Sequence, residues 1–245
     1  MLDPAVTVAL VTGATRGIGR QVAADLAARG WTVLVSGRSA EVAHAAAADL
    51  ADAGDVRALE VDLDVTDAAA AEAVPEAVRA STGRLDVLVN NAAAFAYWSE
   101  LATAADLVSA RAVMETNLFG PWRLTQVLLP LLRESAHPRI VNVSSGAGSH
   151  GDDQFGLTRR GGAAASYGVS KAALNALTAS LAAELAGSGV LVNAVCPGLT
   201  ATWPGAEQMG ARPVAEGAAS VVAAAVLPDD GPSGAFLRDG RPLPW

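Results

Sequence analysis

Seven short runs rich in β-branched residues alternate with longer alanine-rich stretches, and this alternation leaves few architectures open. The runs are Val6–Val11, Thr32–Ser36, Val56–Glu60, Val87–Asn90, Ile140–Ser144, Leu191–Val195 and Ala235–Leu237. Most are almost continuously apolar, as parallel strands are when both faces of their sheet are covered. Between them the spacing predicts helices over Gly17–Arg29, Ala40–Ala53, Ala68–Ala80, Ala104–Glu134 with a break near Pro121, Ala165–Ala186 and Val214–Val226. Pro75 is expected to kink or restart the third of these. No internal repeat and no long linker interrupts the pattern. It therefore predicts one domain over residues 1–245, with a doubly wound parallel sheet of about seven strands in a three-layer α/β/α sandwich. In such sheets ligands bind at the carboxyl ends of the strands.

The composition fits this fold and removes several functions. Hydrophobic residues make up 51% and charged residues 17% of the chain, enough apolar material for a large core and too little charge for disorder. The formal net charge of −8 gives no basic excess for phosphates, so no nucleic-acid partner is expected. Cys196 stands alone in the apolar run Val190–Cys196 and reads as a buried thiol at a strand end. With no cysteine pair, a reducing cytoplasm is the expected compartment. His44, His137 and His150 share no ligand spacing, so no metal is expected. Met1–Val11 lacks a basic segment, runs straight into a glycine turn and reads as a first strand, not as a leader. No apolar stretch is long enough for a membrane span.

The first strand ends in Thr12-Gly13-Ala14-Thr15-Arg16-Gly17-Ile18-Gly19. Glycines between a strand and a helix let the backbone approach a pyrophosphate, whose charge then lies on the helix N-terminus. This is the setting of a Rossmann-type dinucleotide site. The second strand ends Val35-Ser36-Gly37-Arg38, and no acid lies between Asp25 and Glu41 to take the ribose hydroxyls of NAD. Arg38 stands where a 2′-phosphate would lie, with Arg16 on the neighbouring loop. Two guanidiniums suit a phosphate dianion, so the expected cofactor is NADP(H).

Of the 17 basic residues only one is a lysine, Lys171, and it follows Tyr167, one of two tyrosines, by four positions. That spacing puts both on one helical face. A phenol with its ordinary pKa of about 10 is a poor acid–base group at neutral pH. An ammonium about 4 Å away contributes at most ~4 kcal/mol at an effective dielectric near 20, enough to lower the phenol pKa by up to ~3. The pair is therefore a candidate proton donor with its electrostatic partner.

Thr12–Gly19 together with Tyr167-x-x-x-Lys171 resembles the short-chain dehydrogenase/reductase family, in its single-domain, carbonyl-reductase-like branch. The resemblance extends along nearly the whole chain. Asp64-Val65 is similar to the adenine-contacting pair, and Asn90-Asn91-Ala92-Ala93 to the Asn-Asn-Ala-Gly motif, with Ala93 in place of glycine. Asn117 and Ser145 match the asparagine and serine of the catalytic tetrad. Pro197-Gly198 with Thr202 matches the loop that holds the nicotinamide carboxamide. The resemblance implies that Tyr167 gives a proton to a carbonyl oxygen as hydride arrives, or takes one in the oxidative direction. It further implies that Lys171 lowers the Tyr167 pKa and holds the nicotinamide ribose, that Ser145 polarises the substrate oxygen, and that Asn117 positions a water relaying protons to Lys171. Ser144 competes with Ser145, but strand alternation favours Ser145. A homodimer or homotetramer through the two long helices is implied as well.

Ser145 and Tyr167 are 22 residues apart, longer than the family's usual spacing, so residues 146–165 form an insertion. It is expected to wall the substrate pocket, to alter dimerisation, or to be a plain surface loop. Residues 197–213 form a substrate-binding loop region. Phe95, Tyr97, Trp98, Phe155 and Trp203 flank the expected cleft and suggest an apolar or aromatic carbonyl substrate. The leading expectation is an NADPH-dependent reductase of ketones, aldehydes or quinones. An oxidising alcohol or steroid dehydrogenase and a non-catalytic NADP(H) sensor are the alternatives.

Overall fold

The computed structural model describes residues 6–245; Met1–Ala5, the start of the segment read as a first strand, lie outside it. The elements follow in the order β1 (Val8–Val11), α1 (Gly17–Ala27), β2 (Thr32–Val35), α2 (Ala40–Asp49), β3 (Val56–Ala58), α3 (Ala68–Thr82), β4 (Val87–Asn90), α4 (Leu107–Met114), α5 (Gly120–Arg133), β5 (Arg139–Val143), α6 (Ala165–Glu184), β6 (Leu191–Val195), α7 (Val214–Ala225), β7 (Phe236–Arg238) and β8 (Arg241–Pro242). The strands form one sheet in the order β3-β2-β1-β4-β5-β6-β7-β8. Every pairing is parallel except that of β7 with β8. The chain reverses direction across the sheet between β1 and β4, and their carboxyl ends open the crevice where doubly wound folds bind ligands.

Alternation along each strand sends side chains to two cores, which makes the sandwich three-layered. On one face Leu10, Leu34, Leu88, Ile140 and Val192 pack with Val74 and Val78 of α3, Leu124, Leu128 and Leu132 of α5, and Leu174 and Leu181 of α6. On the other, Val11, Val33, Val89, Val141 and Val195 pack with Val22 and Leu26 of α1, Ala43 of α2, and Val221 and Val222 of α7. Each fully buried leucine or valine contributes about 1.5–3 kcal/mol.

Most element ends differ from the sequence reading by a few residues, and some differences go further. The sheet has eight strands, because a two-residue β8 folds back on β7. Strand β3 stops at Ala58, two residues short of Glu60. Helix α3 does not restart at Pro75: it runs unbroken to Thr82, held across the missing hydrogen bond by buried Ala71, Val74 and Val78. The long helix read over Ala104–Glu134 begins at Leu107, where Asp106 accepts from the amides of Val108 and Ser109. It is interrupted by a π turn over Glu115–Phe119, and Pro121 then sits in the first turn of α5.

Candidate active site

The glycine loop and the turn after β4 are stapled together at the switch point. Thr12 Oγ1 accepts from the amides of Asn91 at 2.9 Å and Ala92 at 3.0 Å. Asn91 Nδ2 donates to the carbonyl of Thr12 at 2.8 Å. Gly13 and Gly17 have φ of +61° and +56°, conformations that a side chain would strain. Gly19 cannot carry a Cβ, which would lie 2.7 Å from the Gly13 carbonyl and closer still to the Asn91 amide. Among the described non-glycine residues only Arg160, Ala164 and Asp239 have positive φ, so Ala93 replaces the family's glycine without such strain.

These contacts fit a dinucleotide. The first turn of α1 carries no acid, and no side chain caps it, so its amides present donors to a pyrophosphate. A Cβ on Gly17 would meet the Thr202 methyl at 3.3 Å, which brings the Pro197–Thr202 loop over the glycine loop. Thr15 reaches Gly37 at the end of β2, where a Cβ would lie 2.8 Å from its methyl. Ile18 is half-buried against the core. Arg16 and Arg38 are exposed, and neither is in an ion pair among the described residues. Arg38 lies near enough to Asp64 to help hold that carboxyl low, after the larger effect of the Thr66 amide and hydroxyl. Val65 packs beneath Gly120, and its carbonyl accepts from Arg123 at 2.9 Å.

Three elements converge on the candidate catalytic residues. Asn117 sits in the π turn, a distortion often found at functional sites, and is fully buried. Its side chain accepts from the Ala94 amide at 2.8 Å and donates to the Ala94 carbonyl and to Ser170 Oγ, both at 2.9 Å. It thereby ties the turn after β4 to α6. At the end of β5 the two serines part. Ser144 Oγ donates to Asn175 Oδ1 at 2.5 Å, deep against α6. Ser145 faces Tyr167, and its hydroxyl works against the upward shift of the phenol.

Tyr167 is 7% and Lys171 2% exposed. Lys171 Nζ donates to the Val143 carbonyl at 2.8 Å and lies 5.7 Å from the centre of the Tyr167 ring. Burial pushes the Tyr167 pKa up and pulls the Lys171 pKa down to about 8. The expected lowering of the phenol by the ammonium is therefore not found here: loss of solvation outweighs any attraction, and each group is driven toward its neutral form.

Phe95 stacks on Tyr167 with ring centres 4.9 Å apart, Trp98 tilts against Trp203 at 6.1 Å, and the Arg160 guanidinium lies over Trp98 at 5.8 Å and Phe155 at 6.0 Å. Tyr97 stands apart, 88% exposed. The insertion over 146–165 is not a loose surface loop. Ser149 Oγ donates to the Pro244 carbonyl at 2.6 Å, and the amides of His150 and Gly151 donate to the Trp245 carbonyl. Asp152 pairs with Arg238, which also donates to the sulfur of the buried Cys196. Sequence reasoning missed this Asp152–Arg238–Cys196 cluster. Its members come from the insertion, β7 and the end of β6, and no local spacing announces it. Among the described residues no group of side chains fits a metal, and no helix is long and apolar enough to cross a membrane.

Residues 7–209 match the family model described as short chain dehydrogenase. The chain is 36% identical over 195 residues to the rhamnolipids biosynthesis 3-oxoacyl-[acyl-carrier-protein] reductase of Pseudomonas aeruginosa, covering 78% of this chain and 72% of that one. It is 33% identical to the (-)-isopiperitenone reductase of Mentha piperita, covering 96% and 97% of the two. Among solved structures, NADPH-bound carbonyl reductase from chicken fatty liver superposes with a TM-score of 0.82 at 28% identity, covering 98% and 99% of the two chains.

Proposed function

The chain belongs to the short-chain dehydrogenase family, and from that premise we propose that it is an NADPH-dependent reductase of ketones, aldehydes or quinones. The observation that carries this reading is the meeting of Tyr167 with Ser145 and Lys171 where β5 ends and α6 begins. A protonated phenol is the form that gives its proton to a carbonyl oxygen. When bound, the cofactor supplies the hydride. Tyr167 gives the proton to the carbonyl oxygen, and Ser145 orients and polarises that oxygen. Lys171 holds the ribose hydroxyls. Asn117, through Ala94 and Ser170, keeps the turn after β4 and α6 in register and positions a proton-relaying water. Gly13, Thr15, Arg16, Gly17, Ile18 and Gly19 cradle the pyrophosphate, Arg16 and Arg38 take the 2′-phosphate, Asp64 and Val65 border the adenine, and Asn91 and Ala92 line the crevice. Pro197, Gly198 and Thr202 hold the carboxamide.

The carbonyl reductase that superposes on this chain is itself NADPH-bound, which supports the cofactor choice. Phe95, Trp98, Phe155 and Trp203 support an apolar or aromatic substrate. We place the enzyme in the cytoplasm, in keeping with its single cysteine, and as a homodimer or homotetramer, which exposed Leu107, Val108, Phe119 and Trp122 along α4, the π turn and α5 support. Following NADPH absorbance across a panel of carbonyl compounds tests the activity. NADPH binding without turnover of any of them would overturn it in favour of a sensor.

A further inference from the structure

Cys196 has a position that a filler thiol does not need. Its sulfur accepts from the amide of Gly146 at 3.1 Å and the amide of Gly198 at 3.4 Å. Gly146 follows Ser145, and Gly198 follows Pro197. One atom thus joins the turn that presents the catalytic serine to the turn that holds the cofactor carboxamide. Two guanidinium nitrogens of Arg238 also donate to it, at 3.2 and 3.3 Å. Arg238 ends β7 and is fixed from the far side by Asp152. Asp152 is buried in turn, and accepts from the amides of Gln154 at 2.8 Å and Phe155 at 2.9 Å. The Phe155 ring lies 5.6 Å from the guanidinium carbon. Gly146 has no side chain because a Cβ there would meet both Asp152 and Arg238.

We infer that Asp152, Arg238 and Cys196 form a positioning device, in which the sulfur sets the spacing between the Ser145 turn and the Pro197–Gly198 turn. The insertion and the last strands hold that sulfur in place. Sulfur is a weak acceptor, so two backbone amides alone hold it loosely. The arginine fork and its buried carboxylate brace it. The device gives the insertion a purpose: its buried Asp152 pairs with Arg238 and completes the brace. The inference rests on the roles proposed above for Ser145 and the Pro197–Gly198 turn.

The test uses the full-length protein with Arg238→Met, Arg238→Lys, Cys196→Ala, Cys196→Ser and the Arg238→Met/Cys196→Ala double variant. NADPH Kd is read by fluorescence, kcat and KM on a carbonyl substrate that the wild type turns over, and folded content by circular dichroism. Arg238→Met and Cys196→Ala are each expected to weaken NADPH binding and lower kcat by about tenfold, the scale of a small misplacement of reacting groups. The double variant is expected to be little worse than either single, because the two residues act as one unit. Cys196→Ser is expected to recover part of the loss, since a hydroxyl accepts from the same amides. Should Arg238→Met fail to fold, Arg238→Lys keeps the charge, loses the fork and carries the same expectation. Folded variants with wild-type Kd and kcat, altered only in melting temperature, would overturn the inference. So would single effects that simply multiply in the double variant. A Tyr167→Phe control separates the two levels: normal turnover there removes the catalytic reading, while NADPH Kd still judges the brace.

Discussion

The Lys171 ammonium nitrogen lies 5.7 Å from the centre of the Tyr167 ring and donates to the Val143 carbonyl at 2.8 Å. Strand β5 therefore fixes the lysine one helical turn from the phenol. Under the role proposed for Lys171, arginine is a poor replacement, because a broad fork does not fit where a compact ammonium must meet both a phenol and a ribose. On the proposed function, Tyr167→Phe removes the proton donor and little else. Turnover is expected to fall by about 10²–10⁴-fold while NADPH Kd stays at its wild-type value, read by steady-state kinetics and fluorescence titration.

Burial of Lys171 also predicts how stability depends on pH. Its pKa is about 8 in the folded chain against 10.5 unfolded. Below pH 8 the lysine is protonated in both states, and the folded state bears the full cost of the buried charge. Between about 8 and 10.5 the unfolded chain binds more protons, so stability rises with pH. Tyr167 acts in the opposite sense at higher pH: its raised pKa means the unfolded phenol ionises first, and stability falls above about pH 10. Urea unfolding of the wild type and of Lys171→Met at a series of pH values checks this. The wild type is expected to gain on the variant by up to about 3 kcal/mol across the alkaline window. A constant difference would contradict it.

Arg38 stands exposed at the end of β2 with no ion-pair partner among the described residues, and it is close enough to Asp64 to act on its titration. A charge-assisted bond to a phosphate is worth about 1.5–3 kcal/mol. Arg38→Ala is accordingly expected to raise the KM for NADPH by about 10–100-fold and to leave the KM for NADH nearly unchanged. Parallel kinetics with the two cofactors give the ratio.

The succession of strands and helices along the chain and the cofactor crevice are legible in the sequence because local signals carry them. Continuous apolar runs mark buried strands, and a glycine turn at the end of the first marks the crevice. Tyr167 and Lys171 are equally visible, since helical spacing alone puts them together. The π turn is not, because Glu115–Phe119 looks like ordinary helix and only tertiary contacts reshape it around Asn117. Pro75 misleads for the same reason: packing of Val74 and Val78 overrides the local break. The upward shift of the Tyr167 pKa is also hidden, since the spacing shows the attraction and not the burial. The Asp152–Arg238–Cys196 brace is the least legible feature, as its parts meet only after the sheet is complete.

Phe95 is 61% exposed, yet its ring covers the Tyr167 ring at 4.9 Å. A flat substrate that reaches the phenol either displaces Phe95 or stacks on it. Aromatic stacking is worth about 0.5–1.5 kcal/mol beyond area burial. Phe95→Ala is thus expected to raise the KM of an aryl ketone by about 3–10-fold and to leave that of a small aliphatic ketone little changed. Paired KM measurements on the two ketones decide the point.

Ser144 and Ser145 are adjacent and chemically identical, and their surroundings predict opposite phenotypes. Ser144 donates to Asn175 Oδ1 at 2.5 Å within the core between β5 and α6. Its loss leaves a buried acceptor unpaired, which costs about 1–3 kcal/mol. Ser145 is half-buried, caps the turn through the Ala147 amide at 3.1 Å, and faces the phenol. Ser145→Ala is expected to lower kcat by about 10²-fold or more, as removal of a preorganised donor to a reacting oxygen does, with a small change in unfolding free energy. Ser144→Ala is expected to lower the unfolding free energy and to change kcat far less. Urea unfolding and steady-state kinetics on both variants read the two quantities independently. A loss of turnover confined to Ser144→Ala would exchange the roles of the two serines.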